Sequence, residues 1–345
     1  MPDSDKKKPV KISVFRREVP EAIWEFDEVR VTKMNNILEV KHLAVEPSGF
    51  IKTRKLDKKR YVDLETGEIL EYNLSKNRGD NIPGLKKTFR ALRNLINNNF
   101  TGAANELFVT LTYKENMTDV RRLYKDFDVF MKRLKRKFAD IDYLCIVEPQ
   151  GRGAWHCHVL IRFNGVDKIY VSNNEIIAPM WGFGFTQTKC LENVDNIGAY
   201  LTTYLTDIEV CDKNQDSLLG AVHHQATAFE TIVDDNGECM TVKVHARLPL
   251  NIVDREVTEG GQMVKKRFVK GARLHMYPPG MNLYRCSRGI KKPDTEKMDY
   301  GDVKKIVGSS TPDYASTIDL FNDKRLLNTI TYEQYNLKRG NVNGN

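Results

Sequence analysis

Between Cys145 and Phe163 the chain reads CIVEPQGRGAWHCHVLIRF, two apolar, strand-like runs joined by a short turn that carries glycine. Paired as a hairpin across Pro149 to Ala154, these runs fix which side chains share a face. Successive residues of a strand alternate sides, so His156 and His158 project together while Cys157 and Val159 project the other way. Glu148 ends the first run, and the hairpin brings its carboxylate to the histidine face. Two imidazoles and a carboxylate form a ligand set for a hard or borderline cation. The same spacing also occurs among histidines that only hydrogen-bond or face solvent, so the company the motif keeps decides its meaning.

At 345 residues the chain can hold two domains, or one with sizeable extensions. Lys and Arg number 54 against 46 Asp and Glu, a net charge of +8 with a pI near 9.0. Such a surface favours polyanions, nucleic acid first among them. No apolar run approaches the ~18 residues that cross a bilayer. The polar start MPDSDKKKPVK lacks the apolar core of a secretion signal, so no membrane role and a cytoplasmic location are expected. Six cysteines are scattered without a CxxC pair, which argues for reduced thiols and against a zinc ribbon or disulfide framework. No GxxxxGK[ST] phosphate loop occurs, and the chain is not expected to carry its own ATP-driven motor.

Residues 10 to 75 alternate short β-prone runs with turn signals, and Lys52 to Arg60 concentrates positive charge. Leu85, Phe89, Leu92 and Leu95 recur at helical spacing within Gly84 to Asn99. FVTLTY at Phe108 to Tyr113 reads as a strand. A helix follows over Asp119 to Phe138, with an apolar stripe and basic residues, Arg133 and Arg136 among them, on its other faces. Those faces suit either DNA phosphates or solvent. The glycines of WGFGFTQTKC suggest a tight backbone approach before a strand at Phe185 to Cys190 that includes Lys189. Val194, Ile197, Leu201, Leu205 and Ile208 then mark a helix that sets Tyr200 and Tyr204 one turn apart, with β carbons roughly 6 Å from each other.

This order implies an α+β fold, an antiparallel-rich sheet with helices on one face. Four regions are expected: a β-rich extension over 1–83, the core over 84–210, a second β-rich extension over 211–300 and a polar tail over 301–345. The second extension contains VKKRFVK, which includes Arg267 and interleaves basic and aromatic residues, a pattern that suits single-stranded DNA and equally a half-exposed strand. A short helix is expected near Ile318 to Leu327, and the final NLKRGNVNGN is expected to be disordered.

A phenol is a weak nucleophile while protonated, with a pKa of about 10. A cation that draws charge from a phosphodiester and aligns it would let Tyr200 or Tyr204 attack phosphorus, conserving the bond as a phosphotyrosine. Hydrolysis by water would need no tyrosine.

Taken together, FVTLTY, WHCHVLIRF and the YLTTY helix resemble the three ordered motifs of HUH endonucleases, in particular rolling-circle replication initiators of plasmids and mobile elements. YVDLETGEILEY, SKNRGDNIPGLKKTFR and LHMYPPGMNLYRCSRGIKKP also resemble replication proteins of Firmicutes elements. The resemblance implies a ferredoxin-like or RRM-like core and a Mg2+ or Mn2+ ion on His156, His158 and Glu148. It further implies nicking of one origin strand by Tyr200 or Tyr204, with a free 3′-hydroxyl as primer and strand rejoining at termination. The implied partners are origin DNA, a host helicase and a DNA polymerase, and a homodimer is compatible with it. Members commonly carry lysine three residues after each such tyrosine, where this chain has Thr203 and Asp207, so Lys189 is a candidate substitute. A relaxase or single-strand transposase of the same superfamily, or a non-catalytic DNA-binding repressor with the same fold, are the alternative readings.

Overall fold

A computed structural model describes residues 12–46, 53–57, 59–64, 66–72, 82–150, 153–191, 196–198, 208–209, 225–233, 239–247, 252–259, 262–269, 276–278, 280–322 and 325–340. The chain opens with β1 (Ile12–Arg16), β2 (Glu28–Met34) and β3 (Ile37–Leu43), then a small antiparallel sheet of β4 (Thr53–Lys55), β5 (Arg60–Asp63) and β6 (Ile69–Glu71). Next come α1 (Ile82–Asn99), β7 (Glu106–Thr112), α2 (Val120–Lys137), β8 (Ile141–Pro149) and β9 (Trp155–Phe163). A π-helical turn at Asn173–Ile177 leads into α3 (Ala178–Trp181) and β10 (Thr186–Cys190). Five strands follow: β11 (Ile208–Glu209), β12 (Gln225–Val233), β13 (Cys239–Arg247), β14 (Ile252–Glu259) and β15 (Gln262–Val269). The remainder is β16 (Tyr284–Cys286), β17 (Thr295–Asp299), α4 (Tyr300–Val307), β18 (Tyr314–Asn322), β19 (Arg325–Asn336) and α5 (Leu337–Gly340). Among the described residues no helix is long and apolar enough to cross a membrane.

The fold is mixed α+β, and its strand pairs are antiparallel. One sheet has the order β10-β7-β9-β8-β16. Leu107, Val109 and Leu111 of β7 alternate with Phe108, Thr110 and Thr112 and join Cys145, Val147, Cys157, Val159 and Ile161 on one face. Against that face lies α2, through Leu123, Phe127, Phe130, Met131 and Leu134. Asp119 caps the helix by accepting from Arg121 N at 2.8 Å and Arg122 N at 3.3 Å. Lys135, Arg136 and Lys137 complement the dipole in its last turn.

The expected placement of helices on one side needs correction. Leu92, Leu95 and Ile96 of α1 pack on Leu144, Ile146 and Leu160, which alternation puts on the opposite face from α2. An apolar stripe tells that a helix packs, not which side of a sheet it covers. The glycine motif behaves as its sequence suggests: Gly182 adopts φ +74°, and a β carbon on Gly184 would lie 2.4 Å from Lys114 N.

A second, six-stranded sheet has the order β1-β18-β19-β3-β2-β17 and carries α4 on one face over Val29, Val31, Leu38 and Val40. Here the expected helix near Ile318 to Leu327 is corrected, since its described residues, 318–322 and 325–327, fall in β18 and β19. The reason lies in a polar interior. Thr317 meets Thr331 at 2.9 Å, Thr329 donates to Asp319 at 2.7 Å, and Arg17 Nε donates to Asp319 at 2.7 Å. Buried but satisfied polar groups erase the hydrophobic alternation that marks a strand.

Candidate metal centre

The turn that closes the central hairpin is held by Gln150 N donating to Ala154 O at 2.7 Å and Gly153 N to Gln150 O at 2.8 Å. Gly153 sits at φ +89°, where a side chain would be strained. The resulting register sets Glu148 directly opposite His156, and Ile146 opposite His158. Opposed residues of an antiparallel pair share a face, so the three ligand candidates converge. Glu148 Oε2 lies 3.1 Å from His158 Nε2 and 3.3 Å from His156 Nε2. One ligand atom from each residue falls within 4.8 Å of the others.

Neighbours fix the two rings. His158 directs Nδ1 at Thr110 Oγ1, 3.3 Å away on β7, and Phe108 stacks on it at 5.3 Å between centroids. A hydroxyl can accept as well as donate, so Thr110 can hold the tautomer whose Nε2 lone pair is free. The His156 and His158 rings are 4.5 Å apart. Burial pushes the His156 pKa down to about 4. Burial and the adjacent imidazole push His158 down to about 3. Both rings are therefore neutral at neutral pH, the state a metal ligand requires.

Glu148 is 4 % exposed and touches both rings. Nε2 of His156 is buried and makes no hydrogen bond. A buried polar atom without a partner costs roughly 1–3 kcal/mol. A divalent cation would satisfy that nitrogen and offset the carboxylate charge, so the residues present fit one.

Of the DNA-contact candidates, Lys189 lies on the histidine face, opposite Phe108 on β10, and is exposed. Arg133 and Arg136 are exposed on α2, beyond the other face of the sheet, and Arg133 donates to Met180 O at 2.6 Å. Arg267 belongs to β15, opposite Asp254, and its side chain lies outside the described residues. Tyr200 and Tyr204 also lie outside them. Asn196 to Gly198, just before, are described: Ile197 packs with Leu144, Ile146 and Leu160 on the histidine face, and Gly198 N donates to Asn97 Oδ1 at 2.8 Å. Sequence reasoning missed Thr110 and Phe108 as ring supports. The alternation of FVTLTY shows that both share a face, but the adjacency of that strand to the histidine strand is a tertiary fact.

Residues 106–209, less than a third of the chain, match a family model described as replication-associated protein ORF2/G2P. The matched segment contains β7 through β10 and the whole candidate centre. No curated protein matches the chain.

Proposed function

We propose that the protein initiates replication by nicking one DNA strand at an origin, with a tyrosine of the Tyr200 and Tyr204 pair as nucleophile. In this reading the five-stranded sheet is the ferredoxin-like core of an HUH endonuclease. The observation that carries it is the Glu148, His156 and His158 cluster, assembled within the segment that resembles replication-associated proteins.

One carboxylate and two neutral imidazoles suit Mg2+ or Mn2+. The ion, when bound, supplies charge withdrawal from the non-bridging oxygens of the scissile phosphate. Glu148 provides the anionic ligand, and Thr110 and Phe108 keep the His158 ring aimed. Lys189 offers positive charge to the DNA backbone on the same sheet face. The phenolic oxygen bonds to phosphorus as the bond from phosphorus to the 3′ oxygen breaks. The phenol proton is lost, the 3′ oxygen gains one, and the products are a 5′-phosphotyrosine and a free 3′-hydroxyl. A second tyrosine allows a second transfer, which would rejoin strands at termination. With no phosphate-loop motif in the chain, unwinding falls to a host helicase and extension to a host polymerase.

Thr203 and Asp207, where relatives of this kind carry lysine, favour one other reading, a repressor that binds DNA without cutting it. The test is incubation of the purified protein with single-stranded oligonucleotides and Mn2+, followed by mass spectrometry. DNA attached to the peptide with Tyr200 and Tyr204 supports nicking. Tyr200→Phe and Tyr204→Phe separate the two phenols. Tight duplex binding with no adduct would overturn the enzymatic reading.

A further inference from the structure

The six-stranded sheet has a second face, turned away from α4 and towards α1. Cross-strand pairing puts Arg30, Lys41 and Tyr332 in one row on that face. With Arg90, Arg93 and Asn94 of α1 they border a groove of about 560 Å³. Arg16 adds a fifth cation at its margin.

The carboxylates near the groove are engaged. Glu39 accepts from Arg93 at 3.1 Å, and Arg30 pairs with Glu46. Glu333 borders the groove through its backbone row, while its carboxylate accepts from Tyr300 and Tyr335 on the α4 side at 2.8 and 2.7 Å. Two cations lie near the Tyr332 ring, the Arg90 guanidinium 5.3 Å and Lys41 Nζ 5.6 Å from its centroid. Nε of Arg30, Nε of Arg93 and Oδ1 of Asn94 are buried without hydrogen-bond partners.

We propose that this groove binds a single polynucleotide strand, with phosphates on Arg90 and Lys41 and a base stacked on Tyr332. An aromatic ring interleaved with cations matches the alternation of base and phosphate, whereas an acidic peptide offers charge without a planar partner. Duplex DNA keeps its bases stacked on one another and cannot present a face to Tyr332. The groove is separate from the metal centre. Leu92, Leu95 and Ile96 seal α1 to the histidine sheet, and the opposite side of the helix carries Arg90 and Arg93. The inference does not depend on nicking.

Binding of a fluorescein-labelled oligothymidylate to the full chain, measured by anisotropy with chelator present, tests it. Lys41→Glu with Arg90→Glu should weaken binding roughly 10- to 100-fold and flatten the log–log salt slope by about 1.4, at about 0.7 for each phosphate that the pair no longer neutralises. Tyr332→Leu should weaken it about 5- to 100-fold with the slope unchanged, as removal of base stacking does. Lys305→Glu, on α4, should change neither. Wild-type affinity in the groove variants overturns the proposal, as does displacement of the oligomer by polyglutamate at equal charge concentration. Photo-crosslinking of 4-thiothymidine oligomers to the unmodified protein covers variants that fail to fold. Adducts on peptides containing Tyr332 or Arg90 support the groove, and adducts confined to other peptides overturn it.

Discussion

Replacing Glu148 with glutamine separates a cation site from an ion pair. The carboxylate is 4 % exposed and touches two imidazoles whose pKa values are pushed to about 4 and about 3, so near neutral pH neither contact is an ion pair. Without metal, Glu148→Gln removes a buried charge whose desolvation costs several kcal/mol, and the amide can still hydrogen-bond an imidazole nitrogen. The metal-free variant should melt at or above the wild-type temperature. Mn2+ at about a hundred times its dissociation constant stabilises the wild type by about 2.7 kcal/mol. At roughly 2–4 °C per kcal/mol, that is a rise of about 5–10 °C. A hundredfold fall in affinity in the variant leaves about 0.4 kcal/mol at the same concentration, a rise of about 1 °C. Circular dichroism melts with and without Mn2+ read both effects. A variant destabilised by about 3–5 kcal/mol without metal, combined with a wild type indifferent to Mn2+, would refute the reasoning and make Glu148 half of a structural ion pair.

Thr110→Val keeps the shape beside His158 and removes its Nδ1 partner; calorimetry should show Mn2+ affinity reduced about 10- to 100-fold with the metal-free melt little changed. Gly184→Ala drives a β carbon to 2.4 Å from Lys114 N and 2.5 Å from Thr112 O, backbone atoms that cannot swing away. Urea unfolding should show a drop in stability of about 1–3 kcal/mol or more. Asp142 links β8, β9 and β16: burial pushes its pKa up, but hydrogen bonds from Ser287, Asn164 and Arg162 outweigh that and hold it low. A depressed carboxylate stabilises the fold above its unfolded pKa of about 3.9 and loses that contribution as pH falls through the lower folded value. Urea midpoints of the wild type should therefore drop more steeply below about pH 4 than those of Asp142→Asn, and parallel slopes would contradict the assignment.

How much of this could be read beforehand varied with the range of the contact. The Glu148, His156 and His158 cluster was legible because one short turn fixes the register of two adjoining runs, and alternation does the rest. The α2 helix was legible from its unbroken apolar stripe. The six-stranded sheet was not, since it pairs Ile12 with Asn322 and Ile37 with Asn336. Its C-terminal strands also hide under threonine and aspartate, whose burial depends on partners such as Arg17 far away in sequence. Thr110 and Phe108 were visible as members of a strand but not as supports for His158, because strand neighbours are chosen by the sheet.

The order of strands in that larger sheet bears on how the chain is made. The β2–β3 hairpin emerges from the ribosome well before its partners β17 and β19, which begin at Thr295 and Arg325. At roughly 5–20 residues per second, about 250 intervening residues take roughly 13 to 50 s to synthesise. Throughout that interval Val29, Val31, Leu38 and Val40 lack the helix that later shields them. A nascent chain of this layout keeps the hairpin sticky until those distant strands have been made, an interval in which a chaperone could hold it.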